Sequence, residues 1–317
     1  MYDVVGVGEV LIDFSPSFQG PMGNPSFEMN PGGAPANCLA ANSKLGGDCA
    51  FVGSVGNDFF GEFLIEQLIS LKINVENVVK VPEFTTIDFV ANNAEGERKF
   101  AFFRNPGADT KLEFERIPNN RWLNTKIFHY GTLSFTDEPC ASTVRKMLRT
   151  AKEHEILLSF DPNYRENLWN SSADARGVIM ECLQYCDILK ISEEEMRLIF
   201  DSETIHPSDA LEKLLNRGIS HVFITSGDKG AWYGDRYTSG FEKAFSVKAV
   251  DTTGCGDSFL GTMHYLMLHY SNWDLKKMVT YANAAAAICA TGRTGIMAMP
   301  QWMQIENLAE ERNESES

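Results

Sequence analysis

Asp251-Thr-Thr-Gly-Cys-Gly-Asp257 runs directly into Ser258-Phe-Leu-Gly-Thr-Met-His-Tyr-Leu-Met-Leu-His269, a strongly apolar helical pattern. A helix beginning at this turn leaves its first N–H groups without intrahelical partners, and its dipole adds positive potential at that end. Gly254 and Gly256 permit unusual backbone angles and let the main chain approach a ligand closely. Together these features make an anion cradle at a helix N-terminus. Asp257 sits at its mouth, where a negative charge is unfavourable unless it has chemistry to perform. The chemistry that fits is acceptance of a proton from a nucleophile attacking the bound anion. The plain alternative is a helix cap behind a glycine turn.

Upstream of this turn the chain alternates short apolar runs with amphipathic stretches. Lys126-Ile-Phe-His-Tyr, Ile156-Leu-Leu-Ser-Phe, Asp187-Ile-Leu-Lys and His221-Val-Phe-Ile-Thr read as buried strands. That alternation predicts a parallel α/β sheet, whose ligands bind beyond the carboxyl ends of its strands. Polar clusters follow those ends: Asp161-Pro-Asn-Tyr-Arg165, Lys190-Ile-Ser-Glu-Glu-Glu195 and Thr225-Ser-Gly-Asp-Lys-Gly230. Each alone reads as an ordinary turn, but several on one sheet edge point to a site. Lys276 to Ala290 forms a closing helix of small residues, followed by Thr291-Gly-Arg-Thr-Gly295 and a short helix near Gln301 to Leu308.

The N-terminal third is less regular. Val4-Val-Gly-Val-Gly8 predicts a buried first strand, followed by Glu9-Val-Leu-Ile-Asp13-Phe. Leu11 occupies the third glycine position of the dinucleotide fingerprint and no helix pattern follows, so a Rossmann oxidoreductase is excluded. Asp13 is either a solvated turn residue or a group pointing into a cleft. Residues 15 to 31 are rich in Pro, Gly, Ser and Asn, then Gly32-Gly-Ala-Pro-Ala-Asn37 opens a small-residue helix with Pro35 in its first turn. Cys49-Ala-Phe-Val-Gly53 reads as a strand, and a helix capped by Asn57 or Asp58 follows. Thr85-Thr-Ile-Asp-Phe-Val-Ala-Asn and Arg98-Lys-Phe-Ala-Phe-Phe-Arg104 alternate about Asn93-Ala-Glu-Gly96, the signature of a hairpin. With the loop before Gly32, this hairpin predicts a small sheet projecting from the main body. Arg104 at its end is either a solvated cation or a group reaching into a cleft.

Composition narrows the function classes. The 317 residues, 44% hydrophobic and 22% charged, describe one large globular domain or one with a small appendage. A formal net charge of −15 argues against nucleic-acid binding, which needs a basic stripe to displace counterions. It leaves phosphate ligands open. No run is long and apolar enough to cross a bilayer, and no signal-like segment opens the chain. Seven scattered cysteines read as reduced core residues of a cytoplasmic protein. Cys182 and Cys186 lack the partners of a metal site. No Gly-x-x-x-x-Gly-Lys-Ser/Thr occurs, which excludes a P-loop kinase.

Taken together, the motifs resemble those of the ribokinase-like (PfkB) carbohydrate kinases, and within that family the fructokinase-like members. The resemblance runs from residue 4 to about 300. Its two signatures are Gly32–Asn37 and Asp251–Asp257, and Phe103-Arg104-Asn105-Pro106-Gly107-Ala108-Asp109 falls in order with the three polar clusters above. It implies an α/β ribokinase-like fold, a central mostly parallel sheet flanked by helices with a small β-sheet lid. The kinase domain would span 1–310, with lid segments at about 14–30 and 84–105 and an acidic frayed tail at 311–317.

The family supplies roles for individual residues. The resemblance makes Asp257 the base that deprotonates a sugar hydroxyl, with Gly254, Cys255 and Gly256 as the anion hole and Arg165 near the transferring phosphate. It makes Asp13, Gly32, Gly33 and Asn37 sugar contacts, with Arg104 reaching from the lid over the sugar. Thr225, Gly227, Lys229 and Gly230 would form the nucleotide loop, with Lys190 and Asn283 on the same side. Glu195 would organise magnesium through water, and Asp251, Thr253 and the loop at Gly295 a monovalent cation such as potassium. Cys255 stands where alanine is usual, which a backbone role tolerates. Ser192 stands where many relatives have asparagine.

The implied activity is ATP- and magnesium-dependent phosphorylation of D-fructose at the 6-hydroxyl, in a cytoplasmic enzyme that pairs as a homodimer through its lid. A 2-keto-3-deoxygluconate kinase shares Asp161-Pro-Asn-x-Arg165 and the opening Gly-Glu-x-Leu-Ile. A non-catalytic sugar-binding regulator with this fold would have lost the base or the anion-hole glycines, and both are retained.

Overall fold

β1 (Tyr2–Val7) is buried along its whole length because it lies at the centre of a sheet covered on both faces. A computed structural model describes residues 1–17, 20, 22–92, 98–293 and 295–316 of the chain. Successive strand residues point to opposite faces, so Val4 joins one hydrophobic core while Val5 and Val7 join the other. The chain beyond β1 supplies the rest of the sheet through β4 (Cys49–Gly56), β5 (Asn74–Val81), β8 (Thr125–Tyr130), β9 (Leu157–Phe160), β10 (Ile188–Ser192) and β11 (His221–Thr225). β12 (Gly230–Asp235) and β13 (Ser239–Lys243) complete the order β13-β12-β11-β10-β9-β8-β1-β4-β5. All pairs from β11 to β5 are parallel, and β12 and β13 close one edge as an antiparallel meander.

Helices cover both faces of the sheet. α3 (Cys140–Glu153), α4 (Ser172–Cys182), α5 (Glu193–Phe200) and α6 (Pro207–Leu215) pack on the face that carries Val5 and Val7. The face of Val4 is covered by α1 (Ala34–Lys44), α2 (Phe59–Ser70), α7 (Cys255–His269), α8 (Leu275–Thr291) and α10 (Trp302–Glu316), with short α9 (Gly295–Ala298) beside them. α10 takes in all but Ser317 of the segment expected as a tail, and Ser317 lies outside the described residues. α5 begins with a capping box: Ser192 accepts from the Glu195 N–H while the Glu195 carboxylate accepts from the Ser192 N–H.

A second sheet rises from the sequence segments expected to form a lid. β2 (Leu11–Pro16), β3 (Phe27–Gly32), β6 (Ile87–Asn92) and β7 (Arg98–Phe103) are ordered β3-β2-β6-β7. β2 begins at Leu11, so the chain leaves the main sheet immediately after Gly8-Glu9. The expected hairpin turn at Asn93–Gly96 lies outside the described residues, as do positions 18, 19, 21 and 294.

Candidate active site

β1 feeds β4 and β5 on one side of the main sheet, whereas β8 to β11 extend from its other side. Such a switch in strand order opens a crevice at the carboxyl ends of the strands. A cavity of about 400 Å³ lies there, roofed by the lid sheet. It brings together Asp13, Gly33, Asn37, Arg165, Lys190, Thr253, Gly254, Gly256 and Asp257, residues from five separate stretches of sequence. Cavities that enclose small ligands commonly measure about 300–1,000 Å³.

Asp257 lies in the first turn of α7 and is 7% exposed. Asn37 Nδ2 donates to its Oδ2 at 2.8 Å, and Asn163 Nδ2 donates to its Oδ1 at 3.4 Å. Asn163 adopts a left-handed conformation, φ 44°, which Asn tolerates better than most residues. Burial pushes the Asp257 carboxyl up to about 6, aided by the nearby Asp161 charge and opposed by Lys190, Asn37 and Arg165. Lys190 Nζ donates to Asp161 Oδ2 at 2.9 Å. Burial favours loss of the lysine proton, but Asp161, Glu195 and Asp257 outweigh it and raise the ammonium pKa. A Cβ on Gly256 would lie 2.7 Å from Lys190 Nζ, so glycine is what lets the ion pair sit against the head of α7.

Gly254 caps α7 in a left-handed conformation, φ 81°, and a Cβ there would meet Gly295 Cα at 2.9 Å. Both reasons require glycine. Gly33 plays the same part at α1: its φ is 107°, and a Cβ would lie 2.4 Å from the Glu9 carbonyl oxygen. Gly32 leaves room for the Asp13 carboxylate, whose Oδ2 would lie 2.1 Å from a Cβ at that position. Asp13 is pushed up to about 7, chiefly by burial and then by Asp88.

Several residues to which the sequence gave no role share the cavity: Glu9, Leu11, Asp88, Phe102, Leu133 and Asn163. Glu9 Oε1 accepts from the Ala34 N–H at 2.9 Å, and burial pushes this carboxyl up to about 7. Asp88, on β6, pairs in register with Asp13 on β2 and with Phe102 on β7. The alternation of the hairpin signalled that one face is special; only the sheet register identifies which one. Asn163 was within a recognised cluster.

Arg104 corrects an expectation. It does not line the cavity but is buried, with Nε and Nη2 at 2.8 and 2.7 Å from Asp109 Oδ2. Its remaining donors go to Thr136 Oγ1 at 2.6 Å and the Leu133 carbonyl at 2.9 Å. A buried guanidinium needs a carboxylate partner, and Asp109 supplies it from the same stretch. Arg104 therefore acts on the cavity from behind its wall, through its hydrogen bond to Leu133 and its charge near Glu9. Arg165 does line the cavity, with Nη1 donating to the Tyr164 carbonyl at 3.0 Å.

The remaining predicted residues lie outside the enclosed cavity. Thr225 pairs in register with Ser192, which places the turn of Gly227, Lys229 and Gly230 along the same sheet edge. Gly227 and Lys229 are exposed, and Gly230, φ 132°, has no room for a Cβ beside the Glu242 carbonyl. Asn283 Nδ2 is spent on the Glu242 and Lys243 carbonyls, at 3.0 and 3.2 Å. Glu195 accepts from the Tyr164 and Ser192 N–H groups at 2.8 and 2.7 Å. Each carboxylate oxygen keeps a second lone pair, which suits an ion approached through water. Asp251 Oδ1 accepts from the Thr253 N–H at 2.7 Å, and Gly295 packs against Gly254, so the three residues expected at a monovalent cation adjoin one turn. The free thiols of Cys255 and Cys289 share a hydrogen bond, and this contact and burial raise the Cys289 pKa.

A nine-stranded sheet with a detached four-stranded lid, enclosing an aspartate at a glycine-capped helix, defines a ribokinase-like sugar kinase. The chain belongs to the pfkB family of carbohydrate kinases, whose family model matches residues 1–302. It is 37% identical over 315 residues to fructokinase-1 of Oryza sativa subsp. japonica, covering 97% of each chain. Fructokinase-1 of Zea mays is 38% identical over 315 residues, again with 97% of each chain covered. Among solved structures, a Xylella fastidiosa fructokinase with bound ATP superposes with a TM-score of 0.87 at 27% identity, covering 99% of this chain and 100% of that one. A Vibrio cholerae fructokinase with fructose, ADP and calcium gives 0.85 at 28% identity, with 96% and 98% covered.

Proposed function

We propose that this kinase transfers the terminal phosphoryl group of ATP to the 6-hydroxyl of D-fructose. The observation that carries the reading is the placement of Asp257: at the head of α7, oriented by Asn37 and Asn163, in a cavity lined by further polar acceptors. Relatives named fructokinase and a structural neighbour holding fructose support the choice of sugar.

In the proposed reaction Asp257 takes the proton of the sugar hydroxyl as its oxygen forms the new P–O bond, and the bond to the ADP oxygen breaks. The amides of the Gly254–Asp257 turn and Arg165 take up charge on the migrating group. Glu195 would hold a magnesium ion through water, and that ion would supply charge neutralisation at the phosphates. Potassium beside Asp251, Thr253 and Gly295 would steady the turn that carries the amides. Thr225, Gly227, Lys229 and Gly230 offer an exposed edge to the nucleotide, with Asn283 behind it. Asp13, Gly33 and Asn37 face the sugar, and the lid sheet excludes water.

The lid sheet is also where a second copy would pair. All seven cysteines are free thiols, and among the described residues no helix is long and apolar enough to cross a membrane. The free thiols suit a reducing compartment such as the cytoplasm.

A coupled assay over a sugar panel with ATP and magnesium tests the reading. D-fructose should give the highest kcat/KM, and Asp257→Asn should lower kcat about 10²–10⁴-fold, the scale of a lost general base. Near-normal turnover by that variant removes Asp257 from the role of base. Turnover on a keto acid but not on fructose overturns the substrate.

A further inference from the structure

Asp13, Asp88 and Phe102 form one cross-strand row of the lid sheet, and all three line the cavity. Like charges directly opposite one another on paired strands are destabilising, so two carboxylates in this row need compensation. The protein supplies it only in part. Asp88 is 1% exposed, accepts from the Ala101 and Phe89 N–H groups, and still has an Oδ1 without a hydrogen-bond partner. Glu9 Oε2 and Asn37 Oδ1, from two other walls of the same cavity, are buried and unpartnered as well. Leaving a buried acceptor unmade is costly. A ligand that brings several donors at once satisfies all three.

We infer that Asp88 is a specificity-determining residue of the sugar site: with Asp13 it accepts adjacent hydroxyls of an uncharged polyhydroxylated sugar and turns away sugars that carry a carboxylate. The inference rests on the kinase reading above and narrows its substrate class. A 2-keto-3-deoxy sugar acid would bring its carboxylate into a cavity already lined by Glu9, Asp13 and Asp88. Asp88 is carried by the lid, so its contact depends on the lid sheet standing over the cavity as it does here. It reads the hydroxyls and leaves the proton transfer to Asp257.

The test is steady-state kinetics of the wild type, Asp88→Asn and Asp88→Ala with ATP and magnesium. Substrates are D-fructose, 2-keto-3-deoxygluconate, D-glucosamine and the neutral sugar turned over fastest, with thermal unfolding as a fold control. Asp88→Ala should raise KM for the neutral sugar about 10–100-fold, the scale of a hydrogen bond to a charged group, while kcat changes less than about threefold. Asp88→Asn, which keeps an acceptor, should raise it less. In both variants kcat/KM for the keto acid should rise relative to the neutral sugar.

An unchanged KM in Asp88→Ala overturns the inference. So does a wild type that prefers glucosamine, which would make the carboxylate pair a cation site. Parallel losses of kcat and melting temperature in both variants assign Asp88 to lid support and likewise overturn it. If fructose is inert but another neutral sugar reacts, the choice of fructose fails while the role of Asp88 is still decided on that sugar.

Discussion

Burial has opposite consequences for the two properties that Asp257 governs. Its carboxyl is pushed up to about 6, first by burial and then by Asp161. As the proposed base, Asp257 works only when ionised, so kcat/KM should decline through that value and fall about tenfold per pH unit well below it. Asp13 and Glu9, both near 7, steepen the decline because they protonate over the same range. For stability the sign reverses. A carboxyl whose pKa is raised by folding favours the native state at low pH, and that contribution is lost as pH rises through the folded value. A pH–rate profile of the free enzyme checks the first point, and a profile flat from pH 5 to 8 contradicts it. The place of Asp257 at the head of a helix was legible in the sequence because a glycine turn leads straight into an apolar helical pattern. Glu9 and Asp88 were not, since an acid in an alternating strand gives no sign of which face will be enclosed.

At the scale of elements, the lid hangs on a buried clamp. Asp109 accepts from the Thr86 hydroxyl just before β6 and from Arg104 just after β7, so one carboxylate ties both roots of the hairpin. Asp58 reinforces the entry by accepting from the Thr85 N–H and hydroxyl, both at 2.8 Å, while capping α2. Asp109→Ala leaves the buried Arg104 guanidinium with only the exposed Asp137 carboxylate, 3.6 Å away, as a counter-ion, a loss of up to about 3–5 kcal/mol. Thermal unfolding should show the variant markedly destabilised, and adding Arg104→Met should recover part of the loss. A single variant within about 1 kcal/mol of wild type would show the clamp to be dispensable. The residues around Arg104 left its direction open and the resemblance placed it over the sugar; the partner that holds it instead lies five residues on, and both orientations fit a strand end. Similarly, β12 and β13 were missed: their alternation is interrupted by Gly230, Gly234 and Gly240, which weakens the strand pattern.

Across the whole molecule, most of the parallel sheet was readable because its buried strands are short apolar runs with polar clusters behind them, whereas edge strand β5, with Asn74, Glu76, Asn77 and Lys80, was not. What also escaped the sequence is the lid's outer face. On β2 and β6 the residues after Asp13 and Asp88 are Phe14 and Phe89, whose rings stack at 4.9 Å on the side away from the row that lines the cavity. Phe27 and Phe103 join Phe89 edge-on at 5.1 and 5.7 Å, and Phe60 joins Phe14 at 6.0 Å. Phe27 is 40% exposed and Phe103 65%, so the part of this aromatic face beyond the reach of Phe60 is left exposed. Contiguous exposed apolar surface on a sheet with free edge strands is a site of association. A second copy offers a surface of the same character, and a two-fold contact between lids is self-complementary. Light scattering after gel filtration should therefore give twice the 35.4 kDa chain mass. Phe103→Asp, which puts a charge on the exposed face and leaves the cavity row intact, should halve that mass. Because a partner lid would restrain the sheet that carries Asp13 and Asp88, the monomeric variant should also show a raised KM for the sugar with a smaller change in kcat. A wild type that elutes at 35.4 kDa in the tens of micromolar range, or a variant that still pairs, would place the contact elsewhere and leave each lid to close on its own.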